Sequence, residues 1–142
     1  MDLHEYLMPG EYVITILDRV KVDGIYDHLA ITNKRIILFK TSKSGLLRRK
    51  STEINSLKSY PLKGVKEISI QITHDTFSLY YIRMRAMNEN HDLVFSLRIE
   101  PKIGRTDLRT VYAILGTTFE SISTRYETNP KIELATFYLR DM

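Results

Sequence analysis

The sequence predicts a mainly β domain with one long helix near its C-terminus. Three observations carry that expectation. Period-two alternation is clear where Ile68, Ile70 and Ile72 are interleaved with Ser69, Gln71 and Thr73. Turn-forming pairs such as Asp23-Gly24 separate runs rich in β-branched residues. After Pro101 the period changes, and Leu108, Val111, Leu115, Phe119, Ile122 and Tyr126 recur at helical spacing. A chain of 142 residues suits a single domain that buries a full core without crosslinks.

Taken in order, Asp2 to Leu7 reads as a short lead-in helix, ended by Pro9-Gly10. Glu11 to Val20 is the first strand and Ile25 to Thr32 the second. Arg35 to Lys40 is the third; its apolar residues on both faces call for burial on both sides or a covered edge. Asn33-Lys34 joins the second and third as a tight hairpin, because Asn tolerates the left-handed backbone that short turns use. A fourth strand falls within Thr52 to Ser59 and breaks at Tyr60-Pro61, since proline cannot donate to a central ladder. Val65 to Thr73, Phe77 to Met87 and Leu93 to Ile99 complete seven strands.

The helix is expected over 106–126, with Thr106 as N-cap, Asp107 at the positive end of the dipole and Asn129-Pro130 as the stop. Gly116 inside it costs about 1 kcal/mol against Ala, which points to close approach of the helix to the sheet. The domain then spans 1–126, with strands over 11–99. A tail over 127–142 remains, too apolar for a solvated terminus. Its Ile132, Leu134, Phe137 and Leu139 either pack back as an added strand or dock on a second copy or another partner.

Met8-Pro9-Gly10-Glu11, a strand, and then Leu29-Ala-Ile-Thr-Asn-Lys-Arg-Ile-Ile37 form a recognisable order. It resembles the pleckstrin-homology (PH) superfamily, nearest in pattern to bacterial-type PH, GRAM and GLUE domains. The resemblance covers about Leu7 to Tyr126. It implies a seven-stranded open barrel of two orthogonal antiparallel sheets capped by the helix. It also implies a module that binds rather than catalyses. Within the hairpin, Thr32 to Arg35 are expected to serve the turn rather than a ligand.

Charge is unevenly spread. From His28 to Thr52 there is no Asp or Glu, while the same window holds seven of the 21 basic residues. Such a local positive field attracts phosphates or anionic lipid, although lysines also merely keep a loop solvated. Lys40, Lys43, Arg48, Arg49 and Lys50 surround the apolar pair Leu46-Leu47, a pattern suited to membrane contact: cations on lipid phosphates, leucines in the interface. PH domains that recognise phosphoinositides hold the headgroup near the loop between the first two strands. There Arg19 and Lys21 stand beside Asp18 and Asp23, short of a dense basic signature.

Catalysis finds no motif. The four histidines, His4, His28, His74 and His91, lack metal-ligand spacing, and no glycine-rich phosphate loop or G-x-S-x-G elbow is present. No cofactor or metal is expected. Nucleic acid is the weaker match: of nine tyrosines, Tyr81, near Arg83 and Arg85, is the best candidate for a stacking face. The absence of cysteine fits a reducing, cytoplasmic setting, and no apolar run approaches the ~18 residues of a membrane span. Met1 favours an authentic amino terminus. The expected partner is therefore an anionic phospholipid membrane contacted peripherally. The alternative is a protein partner or homo-oligomer reached through a sheet edge or the tail.

Overall fold

The computed structural model describes residues 3–44, 51–102 and 104–141; the side chains at 43, 44, 51, 52 and 104–106 lie outside that description. A 3-10 turn, Leu3–Tyr6, leads into β1 (Val13–Leu17), β2 (Val20–Val22), β3 (His28–Thr32), β4 (Arg35–Ser44) and β5 (Ser51–Pro61). β6 (Val65–His74), β7 (Tyr80–Asn88) and β8 (Leu93–Pro101) follow, then α1 (Gly104–Ser121), β9 (Ser123–Asn129) and β10 (Leu134–Leu139). The protein is mainly β, with two antiparallel sheets and one helix near the C-terminus. A four-stranded sheet has the order β1-β3-β4-β5 and a six-stranded sheet the order β2-β8-β7-β6-β10-β9. They form an open arrangement, not a closed barrel.

The main core lies between the inner faces of the sheets and the buried stripe of α1. Leu29, Ile31, Ile36 and Leu38 come from one sheet; Ile68, Ile70, Ile82, Met84, Leu97 and Ile99 come from the other; Leu108, Leu115 and Phe119 come from the helix. The alternation of Ile68, Ile70 and Ile72 is realised as burial on β6. A second, smaller cluster covers the outer face of the four-stranded sheet, where Leu3 and Leu7 pack over Ala30, Ile37 and Phe39. Both faces of β4 are buried from Ile36 to Phe39, which explains its uninterrupted apolar run.

Several boundaries differ from the sequence expectation. The first strand divides at Asp18-Arg19, and its halves join different sheets: β1 pairs with β3, β2 with β8. β5 continues through Tyr60-Pro61, because it is an edge strand where a missing N–H costs nothing. β7 starts at Tyr80 rather than Phe77: the Asp75 carboxylate accepts the amides of Phe77 (2.9 Å) and Leu79 (3.1 Å), holding a turn with Ser78 at φ 61°. Neither Asn33 nor Lys34 is among the residues of positive φ; the turn is held instead by the Thr32 hydroxyl, which accepts the amides of Lys34 (3.0 Å) and Arg35 (2.9 Å).

The largest difference is at the helix end. α1 stops at Ser121, not at 126. The hydroxyls of Ser121 and Ser123 donate to the carbonyls of Thr118 (2.6 Å) and Phe119 (2.5 Å), satisfying the last turn. Tyr126 lies on β9, where it stacks on Phe137 with ring centroids 5.9 Å apart. Asn129-Pro130 turns the β9–β10 hairpin. β10 pairs with β6 on one side and β9 on the other, so the tail packs into its own sheet. Phe137 and Leu139 are core residues, which corrects their reading as partner-docking side chains; Leu134 is half-buried and Ile132 exposed.

Candidate functional site

The hairpin motif and the Pro9-Gly10-Glu11 segment form one structural clamp. Glu11 has a fully buried carboxylate. It accepts two charge-assisted bonds from Arg35, Nε to Oε2 at 2.9 Å and Nη2 to Oε1 at 3.1 Å. It also accepts the Thr32 hydroxyl at 2.6 Å and the Met8 amide at 2.8 Å. Asn33 accepts the Tyr12 amide and donates to the Gly10 carbonyl, while Lys34 Nζ donates to the Pro9 carbonyl. Burial raises the Glu11 pKa, but Arg35, Thr32 and the Met8 amide outweigh it and hold the carboxyl below its ordinary 4.5. Every side chain from Thr32 to Arg35 is thus engaged within the protein.

The basic segment emerges from a projecting ribbon. β3 pairs with β4 only as far as His28↔Phe39, yet β4 and β5 stay paired out to Ser44↔Ser51. The stretch from Lys40 to Ser44 and its partner strand therefore stand out as a two-stranded arm beyond the sheet. Lys40 is exposed at its base, and Lys58, which the sequence reading missed, rises from the same face two pairs away. Lys43 is on the arm. Leu46, Leu47, Arg48, Arg49 and Lys50 lie outside the described residues, in the segment joining Ser44 to Ser51.

The base of the arm is braced by His28. Its Nε2 lies 2.9 Å from Thr41 Oγ1, its Nδ1 lies 3.0 Å from Asp18 Oδ1, and its ring stacks on Phe39 at 4.7 Å. These contacts tie the arm to the corner between β1 and β2. Arg19 is exposed at that corner. Lys21 is compensated instead: its Nζ lies 3.3 Å from Asp27 Oδ1, which Lys102 also approaches at 3.5 Å. Burial opposes ionisation of Asp27, and the two lysines overcome it, leaving its carboxyl below the usual range. Arg19 is thus the more exposed of the two cations, while Lys21 shares the Asp27 carboxylate with Lys102.

A second feature is a cleft of 640 Å³ between α1 and the β9–β10 hairpin. Tyr112, Ala113 and Gly116 form one wall, Tyr126, Ala135 and Phe137 the other, and an Arg109–Glu133 ion pair of 2.7 Å closes one end. Burial and the nearby Glu133 raise the Tyr112 pKa. No sequence signal announced this cleft, because the hairpin that forms it was hidden in the predicted helix and tail. On the outer face of the six-stranded sheet, Tyr81 is only 7% exposed beneath Arg98, whose guanidinium lies 4.0 Å from the ring centroid. Its ring is not open to stack a base.

Among the described residues no group of three metal-ligating side chains converges, and no helix is long and apolar enough to cross a membrane. No protein-family model, curated protein or solved structure matches the chain.

Proposed function

We propose that this chain is a non-catalytic recognition module of PH-like architecture, and that its β4–β5 arm docks it on an anionic membrane surface. Support for the architecture comes from the strand order. With β1 and β2 counted as one bent strand, seven antiparallel strands precede the helix. The β9–β10 hairpin is an addition to that plan.

The observation that carries the membrane reading is the projection of the arm past β3, with Leu46-Leu47 and Arg48-Arg49-Lys50 in the segment that joins its two strands. Cations on such an arm meet lipid phosphates before the rest of the domain, each contributing about 1 kcal/mol near an anionic leaflet. Arg19 and Lys58 add to the field, and Lys21 and Lys102 share the single Asp27 carboxylate, so that group stays net positive. The leucines enter the interface and add apolar burial. Anionic lipid of this kind faces the cytoplasm, so a cytoplasmic, peripheral location belongs to the same proposal.

Vesicle flotation tests it. Binding to phosphatidylserine-containing vesicles should exceed binding to pure phosphatidylcholine and fall as salt rises. Arg48→Glu with Arg49→Glu should abolish it. Equal, weak binding to both vesicle types, or binding that ignores the charge reversal, would sink the idea. The cleft beside Tyr112 and Tyr126 favours a second reading, capture of an apolar peptide or other protein ligand; charge reversal on the arm would leave that function intact.

A further inference from the structure

We infer that two copies of this chain pair through β9, edge to edge and antiparallel, about a twofold axis at Tyr126. This is independent of the membrane reading.

β9 is the outer strand of the six-stranded sheet. The direction of its backbone groups follows from β10. The Ile72 amide donates to the Glu133 carbonyl at 3.1 Å, so alternation along β6 turns the backbone groups of Ile70 and Ile68 to β10, where their partners Ala135 and Phe137 face them. Alternation then turns Leu134, Thr136 and Tyr138 towards β9, and with them their partners Asn129, Glu127 and Arg125 towards β10. Tyr126 and Thr128 are left with N–H and C=O groups directed away from the sheet. The irregularity in the β9–β10 ladder falls between Ser123 and Arg125, so Arg125 to Asn129 stays regular. The other edges are poorer templates: β2 has three residues, β1 carries a register shift, and β5 ends in proline.

Read against its own reverse, Ser123-Thr-Arg-Tyr-Glu-Thr-Asn129 is self-complementary. With Tyr126 opposite Tyr126 of the second copy, Arg125 meets Glu127, Glu127 meets Arg125, and Thr124 meets Thr128. Each is a favourable cross-strand pair. Outward-facing residues must pair with outward-facing residues, so the neighbouring registers are two residues away. One of them sets Arg125 against Arg125 and the other sets Glu127 against Glu127, so like-charge repulsion rejects both. Charge therefore selects a single register, and the interface is isologous, as a closed dimer requires. Within one chain Arg125 and Glu127 pair at 2.9 Å on an exposed face, Glu127 also accepts the Tyr138 hydroxyl at 3.4 Å, and Arg125 lies 3.6 Å over the Tyr138 ring. Tyr126, 49% exposed at the mouth of the cleft, would gain its symmetry mate as a neighbour.

Light scattering on the full chain should give a mass rising with concentration towards twice 16.6 kDa. Arg125→Glu alone and Glu127→Arg alone each place like charges opposite one another and should weaken dimerisation at least about tenfold. An equimolar mixture of the two variants should recover the dimer, because each supplies the charges the other lacks, although the pair within each chain stays broken. A wild-type mass of 16.6 kDa at every concentration overturns the proposal, as do single variants that dimerise like wild type or a mixture that stays monomeric.

Discussion

Glu11 shows what one residue can hold together. Its carboxylate joins the N-terminal segment, the β3–β4 turn and Arg35 in one buried network, and Arg35 keeps only 12% of its side chain exposed. Removing one partner of such a pair strands the other charge, which costs several kcal/mol. Glu11→Ala should lower unfolding free energy by about 3 kcal/mol, near the low end for buried pairs because only a thin N-terminal segment covers it. Urea denaturation measures this. The pH dependence has a definite sign. The folded pKa lies below 4.5, so the contribution is complete above the unfolded value and is lost as pH falls through the folded one. The denaturation midpoint should hold from neutral pH down to about 5 and then drop, and Glu11→Gln should flatten that drop.

At the scale of elements, α1 illustrates how tertiary pairing overrides a local pattern. Ile122 and Tyr126 continue the helical spacing of Leu115 and Phe119, yet the chain leaves the helix because β10 offers a ladder to β9. Gly116 lies opposite Phe137, and a Cβ built there would stand 3.9 Å from the Phe137 ring, an ordinary contact. Close approach therefore does not require the glycine, contrary to the expectation from sequence. It lines the helix wall of the cleft, in a helical backbone that Ala also adopts. Gly116→Ala should raise stability by about 0.5–1 kcal/mol, seen as a higher thermal midpoint. A lower midpoint would mean that the helix packs more tightly than this geometry allows.

For the whole molecule, the C-terminal hairpin is structural rather than appended. β10 covers the β6 edge and contributes Ala135, Phe137 and Leu139 to the main core. A chain ending at Glu127 would lose those side chains and expose the strand edge. It should lack a cooperative thermal transition and near-ultraviolet circular dichroism, the signals of fixed tertiary packing. Wild-type-like melting of that truncation would show that the first eight strands and the helix form an autonomous domain.

The mainly β class with one helix near the C-terminus and most core faces were readable in the chain, because alternation and turn chemistry are local properties of neighbouring residues; the strand count was not, since among the described residues eight strands precede the helix where seven were expected. The burial of Ile68, Ile70 and Ile72, and the two-sided burial of Ile36 to Phe39, follow from that local code. The basic segment was equally legible as composition. The split of the first strand between two sheets, the projecting arm, the sharing of Asp27 by Lys21 and Lys102 and the β9–β10 hairpin were not. Each depends on which distant residues meet, and pairing partners such as Ser123–Asn129 and Leu134–Leu139 carry too little alternation on the edge strand to announce themselves. Local pattern sets what each segment can become; long-range pairing and charge compensation set which edges and cations remain free to act.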